Sequence, residues 1–236
     1  MATLLLRLAA PLQAWGVASK FNSRMTGAEP SKSGVVGMVA AALGRDRSDP
    51  LDDLSELKFG VRKDQAGTLV KDFQTAHGTG HNADFVTTRY YLADAVFLAG
   101  FEGDRAKLEE IDRAVRNPVF PLFLGRRSCP PTPPVSLGLV DSCLEDALRS
   151  YDWLASDWYM RRCGPEVSLE IVSDAGVSEG HAMVRDHPVS FDQTYRRHAL
   201  RSVKYDLNGV KVENKHSVKG RFDTTHDALS EIRRDD

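Results

Sequence analysis

Apolar positions along this chain fall in short runs separated by long polar stretches. "TLLLRLAA" (Thr3–Ala10) is largely apolar and alternates only imperfectly, which predicts a buried strand. A polar linker of about twenty residues follows. From Ser31 to Leu43 the chain is rich in Val, Ala and Met. Ser31 and Ser33 are good N-cap residues and Gly44 is a natural C-terminal stop, so a short buried helix is expected to begin near Ser31. "LKFGVRKD" (Leu57–Asp64) predicts a second strand, and Gly67 to Thr88 is polar and glycine-bearing. "RYYLADAVFLAGF" (Arg89–Phe101), dense in Tyr, Phe, Val and Leu, predicts a third. In "DRAKLEEIDRAVRN" (Asp104–Asn117), Leu108, Ile111 and Val115 share one helical face, Asp104 caps it and Pro118 stops it.

The order strand, helix, strand, strand, helix needs one more strand to complete the split βαβ of a ferredoxin-like fold. "PVFPLFLG" (Pro118–Gly125) is proline-broken and predicts a short edge piece at best. "RRSCPPTPPV" reads as a rigid loop, "LEDALRSYDWLA" (Leu144–Ala155) as a helix and "EVSLEIVSD" (Glu166–Asp174) as a strand. "GHAMVRDHPVSF" and "RHALRSVKYDL" are weaker strand candidates. Residues 215–236 are charged and poor in apolar side chains, which predicts a frayed tail.

A chain of 236 residues with 42% hydrophobic content can bury one large core or two small ones. No apolar run approaches the roughly 18 residues of a membrane span. Arg7 interrupts the apolar N-terminus and no basic leader precedes it, which makes a poor signal peptide. Three cysteines (Cys129, Cys143, Cys163) with no CxxC suit a reducing cytoplasm and offer no zinc site. The net charge of −2 argues against a generally basic coat, but the distribution is uneven. Residues 1–34 hold four Lys/Arg against one acidic residue, 137–184 three against nine, and 185–221 nine against four. If the two ends fold together, one face is positive.

"TGAEPSKSG" (Thr26–Gly34) nearly spells a phosphate-binding loop. Gly27 stands only five positions before Lys32, and Ser31 replaces the second glycine, so the backbone cannot wrap a triphosphate in that way. The first N–H groups of the helix, with Lys32, still form a ready anion site; the plain alternative is a capped helix with one exposed lysine. His77 and His81 sit four apart in a non-helical segment with no third ligand. A metal-free ribonuclease using one of these histidines as base and Lys32 for charge stabilisation is a second reading. "LGRRSCPP" (Leu124–Pro131) sets Arg126 and Arg127 after a glycine and before a stiff Pro-Pro. Glycine permits close backbone approach and arginine offers a planar fork for phosphate. Phe120 and Phe123 lie beside this block, and Trp15, Phe21, Arg24 and Lys32 gather in the first loop. Basic and aromatic groups interleaved on loops suit single-stranded RNA. Core packing is the alternative for the aromatics, and internal ion pairing for Arg126 and Arg127.

Three blocks, "RLAAPLQAWG" (Arg7–Gly16), "TGAEPSKSGVVGMVAAALG" (Thr26–Gly44) and "PLFLGRRSCPP" (Pro121–Pro131), resemble the CasD family, the RAMP-class subunit of the type I-E CRISPR Cascade complex. "RYYLADAVF" and "RDHPVSF" are similar too, and the likeness covers most of residues 4–205. The resemblance implies an α+β, ferredoxin-like (RRM-like) RAMP domain over 1–140 with a β-hairpin thumb inserted near 65–90. A smaller β-rich C-terminal part over 141–214 follows. It implies a cytoplasmic, non-catalytic subunit, without cofactor, metal or membrane, that holds the 5′ handle of the CRISPR RNA (crRNA). The implied neighbours are the CasC backbone, the large subunit CasA and other Cascade subunits. Relatives in type I-C cleave RNA, which keeps open the alternative of a metal-independent endoribonuclease acting on precursor crRNA. Matched to the family's motifs, Arg24, Lys32, Ser33, Arg89, Phe123, Gly125, Arg126, Arg127 and Ser128 are expected to bind the RNA. Phe123 departs from a tyrosine common at that position, so stacking is retained and a hydroxyl hydrogen bond is not.

Overall fold

A computed structural model describes residues 1–16, 23–77, 84–176, 178–179 and 182–217. In chain order the strands are β1 (Ala2–Ala9), β2 (Leu12–Gln13), β3 (Ser23–Arg24), β4 (Lys58–Gln65), β5 (Thr68–Ala76), β6 (Phe85–Ala93), β7 (Val96–Gly103), β8 (Ser136–Val140), β9 (Glu166–Asp174), β10 (Ala182–Ser190) and β11 (Arg197–Glu213). The helices are α1 (Lys32–Ala42), α2 (Asp52–Ser55), α3 (Arg105–Arg116), α4 (Leu144–Ser150) and α5 (Asp157–Met160). The result is a mixed α/β structure whose sheets are mostly antiparallel.

Seven strands form one sheet in the order β10-β11-β9-β4-β7-β1-β8. β1 is apolar nearly throughout because it lies between β7 and β8 with both faces covered. Leu4, Leu6 and Leu8 join the core that includes α1 and α3, while Leu5 joins a smaller core with Leu144, Ala147 and Leu148 of α4. α1 starts where Ser31 Oγ accepts the Gly34 N–H at 3.2 Å, and it ends at Gly44, which sits at φ +75°. α3 starts where Asp104 accepts the Lys107 N–H at 3.0 Å, and it buries Leu108, Ile111 and Val115. Each such buried aliphatic side chain stabilises the fold by about 1.5–3 kcal/mol relative to exposure.

The continuous strand expected at Arg89–Phe101 is two strands. Asp94 turns left-handed at φ +56°, and the chain passes from β6 in a second, four-stranded sheet to β7 in the large one. Its alanines and lone aspartate give no turn signal in sequence. Pro118–Gly125 forms no strand; it runs as a loop pinned to the end of α1, with the Val119 N–H on Ala42 O at 3.0 Å. The helix expected over Leu144–Ala155 stops at Ser150. The next residues turn inward instead, because buried Arg62 gathers the carbonyls of Leu148, Tyr151 and Asp152 at 2.6–2.8 Å. β9 and β11 extend the large sheet beyond β4. Phe21, His81 and most of the 215–236 segment lie outside the described residues.

Candidate nucleic-acid interface

The second sheet is built around β6. β5 pairs antiparallel to it along its length, from Thr68 opposite Ala93 to Ala76 opposite Phe85, forming a hairpin. On the other edge, β2 pairs with the Leu92–Ala93 end, and β3 runs parallel, with Ser23 opposite Thr88 and Arg24 opposite Arg89. This edge is backed by Trp15, which is fully buried and whose indole N–H donates to Gln13 Oε1 at 3.0 Å. Its backbone N–H donates to Thr26 Oγ1 at 2.9 Å, and its carbonyl accepts from Gly27 at 2.8 Å. The core-packing alternative for Trp15 is the observed one.

The Gly125 loop docks onto the same edge. Leu124 O accepts the Ala14 N–H at 3.1 Å, and the Leu124 N–H donates to Cys129 O at 2.8 Å, closing a tight turn around residues 125–128. Gly125 sits at φ +83°, and a Cβ there would overlap the Ala14 carbonyl oxygen. Only glycine lets this turn lie so close to the backbone. The turn aims Arg126 across to β3, where Nη2 donates to Arg24 O at 2.9 Å and to Met25 O at 3.4 Å. Its guanidinium lies 4.6 Å from the centroid of Tyr91 on β6. Arg24, Arg127 and Ser128 are exposed, and Phe123 and Arg89 are half-buried.

None of Arg24, Arg89, Arg126 and Arg127 makes an ion pair among the described residues. Asp72 stands opposite Arg89 on β5, but it accepts from Gln74 Nε2 at 2.7 Å. Arg89 Nε and Arg126 Nη1 are buried with no acceptor among the described residues. Buried donors of this kind are rare in folded proteins, and arginines assembled without carboxylates leave a local positive field for an anion to neutralise.

Lys32 is a correction. The sequence set it in an anion site at a helix start, with an exposed lysine as the plain alternative, and the family resemblance set it near the RNA phosphates. Instead it is buried, and Nζ donates to Asp174 Oδ2 at 2.9 Å. The anion at the start of α1 is the protein's own Asp186, whose Oδ2 accepts the Lys32 N–H at 2.8 Å. Burial lowers the Lys32 ammonium below its ordinary pKa, with Asp174 opposing. Ser33 follows on the same turn and is half-buried. The ribonuclease reading relied on this amine, which is committed to Asp174. It also used His77, which lies at the far end of β5 and bonds Asp84 Oδ2 at 3.0 Å. Sequence reasoning missed Tyr91 as the platform under Arg126, and it missed Asp174, Asp186 and Arg201 altogether. An isolated acid in "RDHP" or "VSD" carries no local signal of a partner so far away in the chain.

A basic rim of loops on a β-sheet edge is a surface of the kind that nucleic-acid-binding proteins present, and comparison with known proteins gives the family. Residues 3–204 match the family model described as CRISPR-associated protein (Cas_Cas5), and the chain belongs to that family. It is 35% identical over 178 residues to the CRISPR system Cascade subunit CasD of Escherichia coli (strain K12), covering 66% of this chain and 80% of that protein. A structure described as a Cas protein matches with TM-score 0.69 and 39% identity over 92% of this chain and 98% of its own. A chain of a CRISPR RNA-guided surveillance complex matches with TM-score 0.73 and 32% identity, covering 89% and 91% respectively.

Proposed function

We propose that this protein is a non-catalytic RNA-binding subunit of a type I-E CRISPR Cascade surveillance complex, and that it holds the 5′ handle of the crRNA. The observation that carries the reading is the convergence of Arg24, Arg89, Arg126 and Arg127 on one sheet edge without a carboxylate partner among the described residues. Arg24 and Arg127 offer exposed guanidinium groups for phosphate, and Arg89 and Arg126 bring donors that lack an acceptor among those residues. Gly125 and Ser128 let the RNA backbone approach the turn, and Phe123 offers a stacking face. Ser33 contributes its hydroxyl near the same loop, whereas Lys32 acts through the fold.

Family membership supports the wider assignment. The order β4-β7-β1-β8, with α1 and α3 as crossovers, supports a ferredoxin-like RAMP domain over residues 1–140. The β5–β6 hairpin serves as its thumb, and 141–214 form the β-rich extension. CasC and CasA are the neighbouring subunits in the cytoplasm. The deciding experiment measures binding of the full chain to handle-bearing crRNA at moderate salt, with a scrambled-handle RNA as control. Replacing Arg126 and Arg127 together with alanine is expected to weaken handle binding, by about 1.5–3 kcal/mol for each charge-assisted hydrogen bond removed. Unchanged affinity overturns the proposal, as does cleavage of precursor RNA in the presence of chelator.

A further inference from the structure

Buried Asp186 and half-buried Asp174 bear the wrong charge for an RNA-binding protein, yet both grip the segment that carries Arg24. Asp186 on β10 accepts the Lys32 N–H at 2.8 Å, and Arg201 Nε and Nη2 at 2.8 Å each. Asp174 on β9 accepts Lys32 Nζ at 2.9 Å, Arg201 Nη1 at 2.5 Å and the Phe59 N–H at 2.9 Å. The side chains of Asp186, Lys32 and Arg201 are 1%, 4% and 9% exposed. Two cations and two anions thus form a balanced, largely buried cluster, with Asp174 its most exposed member at 17%, that ties the start of α1 to β9, β10 and β11. Groups in such a site must hold their geometry, because removing one partner leaves a buried charge uncompensated.

The chain between Arg24 and Lys32 has no helix or strand of its own, and anchors hold it from both sides. At the upstream end Arg126 bonds the Arg24 and Met25 carbonyls, and Thr26 and Gly27 bond the backbone of Trp15. Downstream, the Glu29 carboxylate lies near Tyr205 on β11 and adds to burial in raising that phenol's pKa, and the Asp186 cluster holds residue 32. We infer that Asp186, acting through Lys32 and Arg201, is a positioning residue for RNA binding: it fixes the start of α1 and so holds Arg24 in register with Arg89 and Arg126. This inference rests on the proposed handle-binding role of Arg24, and it makes the C-terminal strands part of the RNA site without their touching RNA.

The sign of the effect makes a sharp test. On charge alone, Asp186→Asn removes a negative group and should tighten binding to a polyanion. As a positioning residue, its removal weakens binding. The full chain is titrated with handle-bearing crRNA in four forms: native, Asp186→Asn, Arg24→Ala and the double variant. The expected result is a loss of about three- to thirtyfold for Asp186→Asn in the native background and less than about twofold further in the Arg24→Ala background. Amide exchange should also speed up at Lys32 and across residues 24–31. Unchanged or tighter binding by Asp186→Asn overturns the inference, and so does an equal loss in both backgrounds, the mark of mere partial unfolding. If Arg24→Ala alone leaves affinity unchanged, the handle-binding role of Arg24 itself falls. Should Asp186→Asn not fold, Arg201→Lys replaces it under the same criteria, since it keeps the charge and removes the two-pronged bond to Asp186.

Discussion

Arg24 and Arg89 stand opposite one another on parallel strands, and no carboxylate pairs with either among the described residues. Like charges directly opposite each other on neighbouring strands destabilise a sheet. On the proposed RNA-binding role, relief of that repulsion by a phosphate would add to the affinity. Arg24→Gln is therefore expected to raise the melting temperature of the free chain by about 1–4 °C while weakening its hold on handle-bearing RNA. Calorimetry and a binding titration on the same sample check this. A variant that melts lower and still binds fully contradicts it.

Arg126 and Arg127 are adjacent in sequence and differ in duty. Arg127 is exposed and makes no ion pair among the described residues, so Arg127→Ala should leave stability within about 0.5 kcal/mol of the native chain. It should lower the slope of log affinity against log salt by about 0.7, the value for one phosphate on a single strand. Arg126 also joins the loop to β3 and covers Tyr91, so Arg126→Ala should cost about 1–3 kcal/mol of stability as well. Denaturant titration of the two single variants separates these roles.

Much of this architecture is legible in the amino-acid sequence alone. β1, α1, β4 and α3 each carry a local signal: an apolar run, a serine or aspartate cap, a proline stop. The "GRR" turn is legible too, because glycine there permits a close backbone approach. Lys32 is misplaced by sequence for a physical reason. A capped helix start with a lysine asks for an anion, and sequence cannot say whether that anion is a ligand or a side chain 154 residues downstream. The break at Asp94 is invisible for a related reason, since the strand divides where two sheets part and not where a residue forbids extension.

Gly125→Ala tests the turn itself. At φ +83°, with the Ala14 carbonyl in the space a Cβ would fill, alanine must displace the loop or Ala14. The expected cost is about 1–3 kcal/mol or more, seen as a lowered unfolding midpoint in urea, together with weaker RNA binding as Arg126 loses its aim. A midpoint equal to that of the native chain would show that the close approach is not required.

Acid should loosen the C-terminal strands before it protonates ordinary carboxylates. Burial lowers the pKa of both His187 and His198 below 6.5; Lys32 and Arg201 add to this at His187, and Arg196 adds to it at His198, while Asp174 and Asp186 oppose it at His187 and Asp186 opposes it at His198. The unfolded chain therefore takes up these protons first. The stability they contribute is full above about pH 6.5 and is lost as pH falls from there through the folded values. The melting temperature should fall between about pH 7.5 and pH 5.5, and His198→Gln should flatten that fall. A curve that is level over this range is evidence against the assignment.

The placement of Arg201 on β11, the last strand among the described residues, has a bearing on biosynthesis. The first forty or so residues leave the ribosome with α1 complete in outline, but the groups that fasten its start arrive only with Asp174, Asp186 and Arg201. A nascent chain halted anywhere before Arg201 lacks that clamp, so the start of α1 is fastened only well after α1 itself has been made.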